Sequence, residues 1–243
     1  MKQLNILLLS SIALSFLAGS SVAEDKVPLK IEVPRPVFIG TPKPIKGFPH
    51  LEKKGGKRAD PLVPAGTVNL AVGKEVTGSD DFPIIGDLEF ITDGDKDGEE
   101  GYFVELAPKT QWVQIDLKKA STIHGICIWH FHSQARAYHD VIVQVSDDPD
   151  FVDGVKTIFN SDHDNSSKLG VGKDLAYVET YKGKYIEAAG AKGQFVRLYS
   201  GGNSTNAGAS GGAGGAAGLI GTGGVGGVGG VGGSGGAGGD GGW

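Results

Sequence analysis

Three acidic residues set two apart, Asp93, Asp95 and Asp97, stand in the stretch "EFITDGDKDGEEGYFVEL" with glycines between and after them. Carboxylates at that spacing leave three readings open. They are part of an oxygen cage for calcium, which takes six to eight oxygen ligands at about 2.3–2.6 Å. They are a catalytic pair, which in glycoside hydrolysis must face each other across a cleft at roughly 5–9.5 Å. Or they are a solvated acidic turn between two strands. A second group lies downstream in "WHFHSQARAYHD": His130 and His132 two apart, then Arg136, Tyr138 and His139. A third is "SDHDNSS", with Asp162, His163, Asp164 and Asn165. On a strand His130 and His132 share one face and Trp129 and Phe131 the other. Two such histidines can ligate zinc with help from Asp162, His163 and Asp164. The plainer account has one histidine bonding a loop backbone and the other solvated. The same loops mix an aromatic ring with planar hydrogen-bonding groups, which suits ligand binding, or they pack on each other with Arg136 paired to an aspartate.

The elements that must position these residues are short apolar runs separated by polar turns, from Val68 to Ser200. "QWVQIDL" (Gln111–Leu117) and "DVIVQVSDD" (Asp140–Asp148) alternate as half-buried strands do. "TIHGICIWHFH" (Thr122–His132), "KTIFNS" (Lys156–Ser161), "AYVETY" (Ala176–Tyr181) and "QFVRLYS" (Gln194–Ser200) complete the set. No segment carries a helical period. Many short strands at even spacing predict an all-β sandwich or barrel. Trp112 and Trp129 fall within strands, as core residues do.

The flanks differ in composition. Residues 1–23 read as a secretory signal: Lys2, an apolar run from Ile6 to Leu17, and a small-residue cleavage site at Ser21-Val22-Ala23. That run is shorter than the roughly 20 residues a membrane span needs, so no span is expected after cleavage and a secreted, periplasmic or cell-surface location is. Residues 24–66 are rich in proline and lysine and read as an extended strap without a fold of its own. Residues 207–243 are a glycine-rich low-complexity tail, where ordering costs more backbone entropy than the few side chains return. The net charge of −5 leaves no basic stripe for phosphates, so a nucleic-acid partner is not expected. Cys127 is the only cysteine and is read as a buried apolar residue.

Residues 67–206 resemble the discoidin, or coagulation-factor type C, domain of the galactose-binding-like jelly rolls. The resemblance is carried by "NLAVGKEVTGSD", "ITDGD", "QWVQIDL", "VQVSDDPDF" and "QFVRLYS", five motifs in that family's order. It implies a jelly-roll β-sandwich and a non-catalytic module that recognises a carbohydrate on a polysaccharide or cell surface. It also implies a structural calcium ion at Asp93, Asp95 and Asp97. In such sandwiches a sugar is bound on the loops of one rim by an aromatic ring and hydroxyl-bonding side chains. Here the candidates are His132, Arg136, Tyr138, His139, Asp162, His163, Asp164 and Asn165. The sequence departs from the family at its end: "LYSGGNSTNAG" runs into glycine where a closing strand is expected. The alternative function is a structural or protein-adhesion module without sugar binding; a hydrolase needs an acid pair that the sequence does not locate.

Overall fold

The computed structural model describes residues 25–37, 45–53, 58–97, 103–204 and 212–215. The signal sequence and the tail beyond Gly215 lie outside the described residues. A five-stranded antiparallel sheet has the order β3 (Glu75–Gly78), β5 (Gln111–Ile128), β8 (Lys184–Ser200), β6 (Ile142–Ser146), β7 (Lys156–Asn160). Facing it is β4 (Val104–Pro108), bridged to Ile85 and preceded by a 3-10 turn at Leu88–Ile91. The fold is an all-β jelly-roll sandwich.

Two of the expected strands, Gln111–Leu117 and the run from Thr122, fuse into one bent strand. The residues between them, Lys118, Lys119 and Ala120, stay exposed and within the strand instead of ending it. The ladder with β8 shifts register between Asp116 and Ser121, where Lys118 takes φ +67°. An inserted bulge of this kind lets one strand bend around a core without ending. Ala176–Tyr181 is no strand; it is held by isolated bridges from Ala176 to Leu51 and from Val178 to Ala137.

The inner face of the sheet carries Val113, Ile115, Ile123, Ile126, Ile128, Val143, Val145, Val196 and Leu198, packed on Val104, Leu106 and Ile91 of the facing layer. The β-branched valines and isoleucines among them fill a pleated surface well. Trp112 points the other way. Arg197 lies between its ring and that of Phe151, 4.2 Å from each centroid, and donates from Nε (2.8 Å) and one terminal nitrogen (2.6 Å) to Gln114 Oε1. The outer face is thus covered by a cation held between two rings. Trp129, by contrast, is core, with no exposed surface, and its indole N–H donates to Tyr181 O at 3.0 Å.

The strap is more ordered than its composition suggests. β1 (Lys26–Pro28) and β2 (Leu62–Pro64) pair antiparallel, and Val63 is buried. Arg58 donates to the carbonyls of Lys182 (2.8 Å) and Gly183 (3.0 Å). Between these anchors, residues 45–53 cross the domain at Ala176. At the other end, Gly212–Gly215 (β9) pair antiparallel with β4, so a short glycine segment lies where no strand was expected.

Candidate functional site

The rim of the sandwich where the loop after β5 meets the loop after β7 encloses a cavity of about 240 Å³. Its lining includes Tyr138, His139, Asp140, Ser161, His163 and Asp164. Backbone bonds hold these residues in place. His139 N–H donates to Gly202 O and Gly201 N–H to His139 O, both at 2.8 Å, while Tyr138 bridges Asn203. His163 Nε2 carries its proton, because its 2.9 Å partner is the carbonyl of Asp174, which only accepts. The other wall comes from the strap: Phe48 stacks on His139 (centroids 4.1 Å, 20°) and His50 on His163 (3.9 Å, 30°).

Carboxylate oxygens of Asp140, Asp162 and Asp164 lie within 4.8 Å of one another. The three are not equivalent. Asp162 has no exposed surface, and burial would push its carboxyl up. Hydrogen bonds from the Ser167 hydroxyl and amide and from the Ser166 amide outweigh that and hold it below the usual carboxylate range. Asp140 is held above that range by partial burial and then by the charge of Asp162, against one bond from the Ser166 hydroxyl. Asp140 therefore accepts fewer bonds than Asp162, and it lines the cavity.

Of the eight residues expected to bind ligand, the structure gathers Tyr138, His139, His163 and Asp164 at this cavity. Asp162 and Asn165 instead build the loop. Asn165 takes φ +58°, and its Oδ1 accepts Gly170 N–H at 2.7 Å. Arg136 lies over Phe131 (4.3 Å), and His132 is buried with Nε2 donating to Lys96 O at 2.8 Å; neither lines the cavity. The alternation expected for the histidines does not hold, since β5 ends at Ile128 and Trp129, His130 and His132 are all buried. His130 is spent on Glu179, Nδ1 to Oε1 at 2.5 Å. Neither His130 nor His132 belongs to a metal-ligating group among the described residues, so zinc finds no site with them. The sequence reading missed Asp140, Ser161, Phe48 and His50. "GFPH", with two rings in a proline-rich strap, was the available signal for the last two.

Residues 90–198 match the family described as the NedA-like, galactose-binding domain, of the coagulation-factor type C group. This stretch is similar to that family's domain. Residues 181–243 match PGRS repeats, and among curated proteins none matches the chain. Similar solved structures include a mutant of chitosan-binding module 1 from the chitosanase/glucanase of Paenibacillus sp. IK-5, 17% identical with TM-score 0.43, over 65% of this chain and 99% of that one. A Streptococcus pneumoniae fucose binding module is 15% identical with TM-score 0.44, over 65% and 97%. The CBM32 of AlyQ, in complex with 4,5-unsaturated mannuronic acid, is 14% identical with TM-score 0.41, over 60% and 92%.

The acidic turn Asp93–Asp97 is held by its own atoms. Asp93 Oδ1 accepts Asp95 N–H (2.7 Å) and Asp95 Oδ1 accepts Asp97 N–H (2.8 Å), two successive Asx-turns. Lys96 Nζ donates to Gly94 O (2.9 Å) and lies 5.6 Å from the centre of the Trp129 ring. The Lys96 carbonyl is taken by His132. Among the described residues the three carboxylates do not form a converging group, and the Lys96 ammonium occupies the Gly94 carbonyl. As placed, these residues do not fit a calcium cage, whose oxygens must all face the ion. The expected result is that calcium and a chelator leave the melting temperature of the full chain unchanged. A rise in calcium would mean that the turn rearranges around metal, because a ligand bound only by the folded state raises stability.

The lone thiol contributes no chemistry here. Cys127 is buried, and burial pushes its pKa up to about 12. A thiol so raised is protonated at neutral pH and is not a nucleophile.

Proposed function

We propose that the chain is a non-catalytic carbohydrate-recognition module acting outside the cytoplasm, and that its sugar site is the rim formed by Tyr138, His139, Asp140, His163 and Asp164. The observation that carries this is the convergence, at one cavity, of two imidazole faces with carboxylates. A pyranose offers one flat C–H face and a ring of hydroxyls. Imidazole faces pack on the first, and Asp140 and Asp164 accept from the second. That each imidazole carries a flat ring in the present structure supports the capacity of these faces for such a partner. The family description of residues 90–198 as a galactose-binding domain supports the same reading.

The test is a glycan array probed with the full chain and with His163→Ala and Asp140→Asn. Defined sugars should be bound by the natural chain, with roughly tenfold or greater loss in each variant, the order of effect expected when one buried polar or stacking contact is removed. Asp140→Asn carries a second readout. A carboxyl held above its ordinary range in the folded state opposes folding once it ionises, so its contribution is favourable at low pH and is lost as pH rises. The asparagine variant should therefore melt higher at pH 7 while binding more weakly. A blank array, with a protein captured on the same rim, would instead establish an adhesion module.

A further inference from the structure

On the sugar-binding reading of the rim, we propose that residues 45–53 are a hinged cover, with Phe48 and His50 standing in on His139 and His163 for the sugar face that must displace them. Each of the two imidazoles meets a strap ring at stacking distance, 4.1 and 3.9 Å. The space left beneath is about 240 Å³, below the roughly 300–1,000 Å³ typical of small-molecule sites. With the cover down, the imidazole faces that meet Phe48 and His50 are already occupied, so a sugar cannot stack on them until the strap rings leave.

The attachment of the cover suits a part that lifts. His50 is exposed and Phe48 only half-buried. Among the described residues its backbone is fastened by one short parallel bridge, in which Ala176 N–H donates to His50 O (3.0 Å) and Glu52 N–H to Ala176 O (2.8 Å). Beside it lies the partly exposed Lys184–Glu52 pair, at 2.7 Å, of a kind that contributes little in water. Further anchors lie on either side. β1 and β2 pair with each other, Val63 is buried, and Arg58 is bound to two carbonyls of the domain. Because β1 and β2 close the strap into a loop, the cover can rise without leaving the domain, and its rings return when the sugar departs. A ligand that binds only the open form loses affinity by the fraction of time the cover is closed.

D-galactose is the probe, with the full chain and the double variant Phe48→Ala/His50→Ala, both confirmed folded by their melting curves. Titration calorimetry should show the variant binding roughly tenfold tighter, the order of effect that two aromatic stacks released from competition allow. In the natural chain, saturating galactose should speed hydrogen exchange at the Glu52 and Ala176 amides several-fold. Equal or weaker binding by the variant, or galactose protecting those two amides, would make the strap a fixed wall and overturn the cover. If neither protein binds galactose or any arrayed sugar, the sugar-site reading itself fails, and the cover fails with it.

Discussion

Alanine in place of Gly183 is expected to lower the melting temperature of the domain by about 10 °C. Gly183 sits at φ +62° in the turn before β8, and a Cβ there would lie 2.6 Å from Trp129 Cε2 and 2.8 Å from the carbonyl oxygen of Ile128. Neither neighbour can give way: Trp129 is fully buried and bonded through its indole nitrogen to Tyr181, and Ile128 closes β5. A side chain in the left-handed region costs about 1–2 kcal/mol, and overpacking against a fixed core adds about 1–3 kcal/mol. For a domain of this size each kcal/mol shifts melting by roughly 2–4 °C. Gly154 is the matched control. Its φ is also +62°, yet nothing lies within 4 Å of where its Cβ would be. Gly154→Ala should therefore show the backbone cost alone. Equal losses in the two variants, measured by thermal circular dichroism, would contradict the packing of the turn onto Trp129.

The second large effect is expected at Glu179. Its carboxylate is 1% exposed and meets His130 Nδ1 at 2.5 Å. The buried phenols of Tyr138 and Tyr177 are pushed up first by burial and then by the Glu179 charge. Removing one member of a buried pair costs about 3–5 kcal/mol, because the partner keeps its desolvation and loses its compensation. Glu179→Ala should thus melt roughly 10 °C or more below the natural chain. Glu179→Gln, which keeps the volume and one acceptor, should fall between. The effect reaches the rim, since His130 stacks on Tyr138 at 4.2 Å and Tyr138 lines the cavity. Sugar binding should fall with stability in Glu179→Ala and recover in part in Glu179→Gln. An alanine variant that melts within about 2 °C of the natural chain would mean the pair adds nothing.

The sandwich was legible because its signals are local. β-branched residues alternate in Asp140–Asp148 and Gln111–Leu117, and those stretches supply β6 and the first half of β5. What local pattern could not show was continuity. "KKAS" has the polarity of a turn, and only the long pairing of β5 with β8 makes it a bulged stretch of strand. The site was half legible for a related reason. Ring and carboxylate types picked out His139, His163 and Asp164, but Asp162 and Asn165 have the same types and serve the loop's own amides. Which oxygen faces a cavity and which caps an N–H depends on backbone geometry. Phe48 and His50 lie about ninety residues or more from the histidines they cover, a distance in sequence over which residue spacing has no reach. In the acidic turn, residue spacing did not show that Lys96 inside "DGDKD" folds back onto the Gly94 carbonyl.

The most direct test of the central claim is an NMR titration of the isotope-labelled full chain with D-galactose, following the histidine ring and backbone signals. The account predicts saturable shifts at His139, His163 and Asp140, with the Asp93–Asp97 turn unmoved. Shifts confined to other surfaces, or none up to high sugar concentration, would contradict it and leave the rim a packed corner of the sandwich.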